Sequence, residues 1–163
     1  LPNYTLAIFL EIIMASGKLS SVLKLFDNDP TAEEQAELKR EVMLLVLARA
    51  TAADTNIKDV EIEKVRDVLA AHLDTDFDAS EVRVAANSEL YERAPLKKIL
   101  STSAARMRDE DKVETIQALA EVIAVDGRVS ALEIAFFNDV ATAMSLTPAE
   151  IMGLQQEVSV RGS

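Results

Sequence analysis

The chain contains no cysteine and no tryptophan, a single histidine, four glycines and four prolines in 163 residues. Each scarcity removes a class of explanation. Without cysteine there is no disulfide framework, no thiolate metal site, no iron–sulfur cluster and no cysteine nucleophile. The same absence suits a reducing compartment. A lone histidine, His72, rules out histidine-rich zinc centres, and its place near a helix end suits a surface or packing role. The four glycines stand apart at 17, 127, 153 and 162, so no glycine-rich phosphate loop exists. Aromatic residues make up only 4%, whereas Ala, Leu, Glu, Lys and Met are plentiful, which favours helices over strands.

What is abundant is apolar surface and negative charge. Hydrophobic residues reach 49% and charged residues 28%, a globular rather than a disordered composition. A chain of this length buries roughly two thirds of its unfolded surface, so one core and one domain over residues 1–163 are expected. The net charge is −11, from 28 acidic and 17 basic side chains. Such a surface repels nucleic acid and anionic lipid and suits divalent cations or basic protein surfaces. The balance is uneven: Arg83 to Lys112 holds seven basic residues against five acidic, a candidate second face. The longest apolar run, Leu6 to Leu10, is broken by Glu11, far short of the ~20 residues of a spanning helix. No basic region precedes it, so no signal peptide is expected.

The pattern along the chain is helical. Leu6, Phe9, Leu10, Ile13 and Met14 form a stripe that resumes at Leu19, Val22, Leu23 and Phe26. That stripe lacks a basic polar face, so it suits core packing or a partner helix rather than a membrane surface. Four capping boxes then announce helix starts: Thr31–Glu34, Asp78–Glu81, Ser130–Glu133 and Thr147–Glu150. The helix opening at Thr31 runs to about Ala53 and is nearly all apolar from Val42, as a central buried helix must be. Others are expected near 59–73, 78–91, 95–105, 109–125 and 130–144, with a last one from Thr147 and a tail from 158 to 163. Gly127 suits a left-handed helix end. No segment alternates with period two, so no sheet is expected.

Residue n aligns with residue n+72. Asp54 meets Asp126, Ile57 meets Val129, Glu61 meets Glu133, Ile62 meets Ile134, Asp67 meets Asp139 and Val68 meets Val140. Leu47 and Ala48 meet Leu119 and Ala120; with a three-residue shift, the stretch from Phe77 meets the stretch from Leu146. Each half, about 31–91 and 109–157, reads as buried helix, acidic turn, helix, capping box, helix. Two copies are too few for a solenoid. The expectation is an all-α, compact bundle of about seven to eight helices with an internal pseudo-two-fold.

The second copy, Ala120-Glu121-Val122-Ile123-Ala124-Val125-Asp126-Gly127-Arg128-Val129-Ser130-Ala131-Leu132-Glu133, resembles the signature of the TerB family. The first copy resembles it more loosely, with Thr55 where glycine is usual. The resemblance implies a compact helical fold and a link to tellurite resistance and stress response. It also implies a divalent-metal site of acidic residues, here Asp54, Glu61, Asp126 and Glu133, with calcium or magnesium as the ion. Physically, carboxylates about 5 Å apart repel by ~3 kcal/mol at an effective dielectric of about 20, which a hard cation relieves. The same residues have a structural use, because Glu133 completes a capping box and an aspartate at a turn satisfies backbone donors. The spacing is not that of an EF-hand: counted from Asp54, Asp59 takes the glycine position and Val65 the final glutamate position.

No catalytic constellation accompanies these acids, so no enzyme is expected. The functional expectation is an acidic, cytoplasmic interaction module that binds a protein partner, not nucleic acid, and meets a membrane only through partners. The alternative is a metal-free adaptor or co-chaperone-like domain.

Overall fold

A computed structural model describes residues 30–52, 59–87, 96–125 and 127–151. Six helices are described: α1 (Ala32–Thr51), α2 (Asp59–Leu73), α3 (Ala79–Asn87), α4 (Leu96–Ala104), α5 (Asp109–Ala124) and α6 (Ala131–Ala143). A further helical stretch opens at 148–151, and there is no strand among the described residues. The all-α expectation holds. The N-terminal stripe and the tail lie outside the described residues.

Helix α1 is the axis of the fold. Thr31 Oγ1 accepts from the Glu34 N–H at 3.2 Å, and Glu34 Oε2 accepts from the Thr31 N–H at 2.8 Å. From Val42 onward, Met43, Leu45, Val46, Leu47 and Ala48 are all buried, on more sides than one helical face offers. They are buried all round because α1 packs chiefly on α5 and α3, then on α2, and lightly on α4 and α6. Helix α2 is amphipathic instead, burying Ile62, Val65 and Leu69 at helical spacing.

The turn from α2 to α3 is pinned by one aromatic. Asp74 takes a left-handed φ of 50° and ends α2, and Phe77 then buries completely. The Arg40 guanidinium lies 4.5 Å above the Phe77 ring, and Arg66 Nε donates to the Phe77 carbonyl at 2.6 Å. Glu63 hydrogen-bonds the same Arg66 and holds it above its ordinary pKa. Glu81 Oε2 accepts from the Asp78 N–H at 2.9 Å, so the second box also forms its return bond. Hydrogen bonds from Ser80 hold the Asp78 carboxyl below its usual range. Helix α3 then runs back along α2, and Arg83 pairs with Asp59 at the start of α2.

Helix α5 starts without a side-chain cap of its own. Its cap comes from α1. Gln35 Oε1 accepts from the Arg108 N–H at 3.3 Å, and Gln35 Nε2 donates to the Arg106 carbonyl at 2.7 Å. Gln35 is buried where it does so. Three residues later in α5 the buried Asp111 receives Arg108 Nε at 3.2 Å and Lys39 Nζ at 3.9 Å. Helices α1 and α5 therefore start together and run in the same sense. In each case the residue on α1 touches its own n+72 position or the neighbours of it.

Gly127, at φ 67°, follows α5 and takes the left-handed conformation its residue type invites. Ser130 and Glu133 form the third box at 3.1 and 2.7 Å. Helix α6 ends at Ser145 with φ 57°, Leu146 buries, and Thr147 and Glu150 close the fourth box. The Thr147 N–H and hydroxyl hold the Glu150 carboxyl below its usual range. The move from α6 into 148–151 thus repeats the move from α2 into α3. All six helices contribute to one hydrophobic core.

Candidate functional site

The four acids of the repeat divide sharply. Asp54 and Asp126 lie outside the described residues. Glu61 sits half-buried in the first turn of α2. Glu133, in the first turn of α6, spends Oε2 on the Ser130 N–H at 2.7 Å. Helices α2 and α6 are not among the pairs that pack extensively. Among the described residues no group of three His, Asp or Glu side chains is arranged to hold a metal ion. The described half of the set therefore contributes one glutamate committed to a cap and one on a separate helix.

The lone histidine is not a bystander. His72, at the end of α2, faces Glu114 through Nδ1 at 3.2 Å and Glu121 through Nε2 at 3.0 Å. Glu114 also pairs with Lys39 of α1. Burial pushes the Glu114 carboxyl up, but the hydrogen bonds and charges of Lys39 and His72 outweigh it, and its pKa is lowered. This chain of charges ties α1, α5 and α2 across their mutual seam. Sequence reasoning placed His72 near a helix end and missed its partners. The only signal was that Glu114 and Glu121 stand seven apart, on one face of α5.

The basic stretch is largely neutralised within the fold. Arg83 pairs with Asp59, Lys97 with Asp139 at 3.2 Å, Arg108 with Asp111, and Lys112 with Asp109 at 2.7 Å. A ridge with this many internal partners is a weak electrostatic face, because each pair cancels most of its own field.

Exposed large apolar side chains occur at Val60 and Val84 and again where α5 hands over to α6. Val125, Val129, Leu132 and Ile134 are each about half exposed. Further along α6, Val140, Ala141, Ala143 and Met144 are buried, so one helix is covered at its end and open at its start. The first copy shows the contrast. Ile62 is 1% exposed and its n+72 counterpart Ile134 is 50% exposed. Val65 is buried, whereas its counterpart Phe137 is only half-buried. In the first copy α3 packs over α2 with Val82, Ala85 and Ala86. Helices α4 and α5 pack on α6, yet Leu132 and Ile134 near its start stay exposed.

No described helix is long and apolar enough to cross a membrane. The family model described as tellurite resistance protein TerB matches residues 40–156. No curated protein and no solved structure matches the chain.

Proposed function

The chain belongs to the TerB family, and on that premise we propose that it is a non-enzymatic interaction module of a tellurite- or stress-response system. It holds a protein partner on the open start of α6. One observation carries this reading: Ile134 is half exposed where its n+72 counterpart Ile62 is buried. Removing apolar area from water is worth about 25 cal/mol per Å², so a partner that covers an exposed apolar side chain gains free energy. The charge of −11 disfavours nucleic acid and anionic lipid as the occupant. The reading suits a cytoplasmic protein that meets membranes only through its partner. The test is affinity capture with the wild-type chain and with a Leu132→Asp/Ile134→Asp variant. A protein retained by the first and lost by the second supports the proposal; identical sets overturn it.

A divalent cation, calcium or magnesium, at Asp54, Glu61, Asp126 and Glu133 is the second part of the proposal. The parallel start of α1 and α5 favours it, since helices running together carry their acidic turns toward one end. Glu133 fits in part, with Oε2 in its cap and Oε1 left for a ligand. Such an ion would neutralise the acids and tie the two turns together. Glutamine serves a capping box as glutamate does, so Glu133→Gln preserves the cap and removes the charge. Calcium or magnesium at millimolar concentration should raise the wild-type melting temperature and leave that of Glu133→Gln unmoved. No rise in the wild type sinks the cation, and an equal rise in the variant removes Glu133 from the set.

A further inference from the structure

The six helices do not hold one another equally. Helix α1 packs chiefly on α5 and α3 and then on α2, and α2 packs in turn on α5 and α3. These four close on themselves. Helix α4 packs chiefly on α6 and lightly on α1, while α6 packs first on α4, then on α5, and lightly on α1. The ion pairs divide the same way. Lys39 joins α1 to Asp111 and Glu114 of α5, His72 joins α2 to Glu114 and Glu121 of α5, and Arg83 joins α3 to Asp59 of α2. Lys97 joins α4 to Asp139 of α6 at 3.2 Å. Among the described residues no ion pair runs from α4 or α6 to the other four helices. We infer that α4 and α6 form a two-helix clasp that opens as one unit from a body made of α1, α2, α3 and α5.

Burial says which group opens first. Helix α1 buries ten of its 20 residues, whereas α6 buries three of its 13 among the described residues, Val140, Ala141 and Ala143, all toward its end. Helix α4 buries Leu96, Leu100 and Ala104, one stripe of a short helix. Elements with few buried apolar side chains open at lower free energy than the core does. The Lys97–Asp139 pair is largely exposed and therefore weak, but it lies inside the clasp and costs nothing when the clasp leaves the body.

The pivots lie at the two ends of α5. Before it, Gln35 of α1 holds the Arg106 carbonyl and the Arg108 N–H, so α4 turns about a point fixed to the body. After it, Gly127 sits at φ 67°, and no atom lies within 4 Å of where its Cβ would be. A glycine at an element end absorbs the backbone change that a hinge requires. Pivots at opposite ends of one helix let the clasp swing about the length of α5 and bare the flank of α1 and α5 on which α6 packs. Leu132 and Ile134 ride on the moving part. The clasp itself rests on packing and ion pairs and does not depend on the partner proposed for those residues.

Hydrogen exchange of the full chain at low denaturant, read by mass spectrometry, tests this. Amides of α4 and α6 should share one opening, at least about tenfold more populated than the opening that frees the slowest amides of α1 and α5, with a smaller denaturant dependence. The decisive variant is in the body. Val65→Ala removes fully buried methyl groups from α2. It should speed the slowest amides of α1 and α5 about tenfold and leave α4 and α6 at wild-type rates, because the body stays folded when the clasp opens. A second readout uses the absence of any native thiol. Alkylation of Ala141→Cys in α6 should be at least about tenfold faster than that of Ala48→Cys in α1, both sites being buried. The inference is overturned if α6 exchanges as slowly as α1, or if α4 and α6 open separately. It is also overturned if Val65→Ala speeds α6 as much as α1, which would make the chain one cooperative unit. In any of these cases, capture of a partner that depends on Leu132 and Ile134 leaves the proposed function standing.

Discussion

Replacing Glu114 with glutamine should destabilise the fold measurably at neutral pH and barely at all in acid. Glu114 receives Lys39 from α1 and His72 Nδ1 from α2 at 3.2 Å, with its side chain 31% exposed. Glutamine keeps the length and one acceptor but loses the charge. Lys39 then keeps only the longer contact to Asp111, at 3.9 Å, and His72 keeps Glu121. A hydrogen bond to a charged group contributes about 1.5–3 kcal/mol, and partial exposure discounts that, so a loss of about 1–2 kcal/mol is expected. For a chain of this length each kcal/mol moves the melting temperature by about 2–4 °C, which gives a drop of about 2–8 °C. The pH dependence follows from the lowered carboxyl pKa. A group whose folded pKa lies below its unfolded value stabilises fully above the unfolded value, 4.5, and loses that contribution as pH falls through the folded one. Thermal unfolding followed by circular dichroism should therefore show the full gap between wild type and variant near neutrality, narrowing below about pH 4.5. A gap that stays constant into acid, or none at neutrality, refutes the argument that Lys39 and His72 overcome the burial of this carboxylate.

Two further substitutions probe the helix ends. Gly127→Ala places a Cβ where no atom lies within 4 Å, so only the left-handed backbone opposes it. A loss of about 1–2 kcal/mol in denaturant melts is expected, and Gly127→Asn should recover part of it. Gln35→Ala strips α5 of the cap it borrows from α1 and leaves the Arg108 N–H and Arg106 carbonyl without that partner. It should cost about 1–3 kcal/mol and speed amide exchange at the start of α5 before α6 is affected.

The two kinds of helix start show how far the sequence is legible. Thr31, Asp78, Ser130 and Thr147 were readable because cap and return partner lie three residues apart, within one turn of chain. The start of α5 was not readable to the same standard, because its acceptor is Gln35, on another helix. His72 fails for the same reason: its ring meets Glu114 and Glu121 only after α2 folds onto α5. The buried run from Val42 to Ala48 was legible as a central helix because no single face can absorb so many apolar residues in succession. The openness of α6 was not, because Ile134 and Ile62 look alike in sequence and differ only in what packs above them.

That last difference bears on function more than the acids do. A repeat predicts equal surroundings for equal positions, so a departure from equality is the place to look for a use that the fold itself does not require. Glu61 and Glu133 depart modestly: one sits in the first turn of α2, the other in a complete box. Ile62 and Ile134 depart by about half of the accessible range of a side chain. Leaving an isoleucine half in water forfeits about 1 kcal/mol of the burial its counterpart enjoys. Phe137, half-buried where its counterpart Val65 is buried, extends the same loss. On the proposed reading, that asymmetry is the surface a protein partner covers.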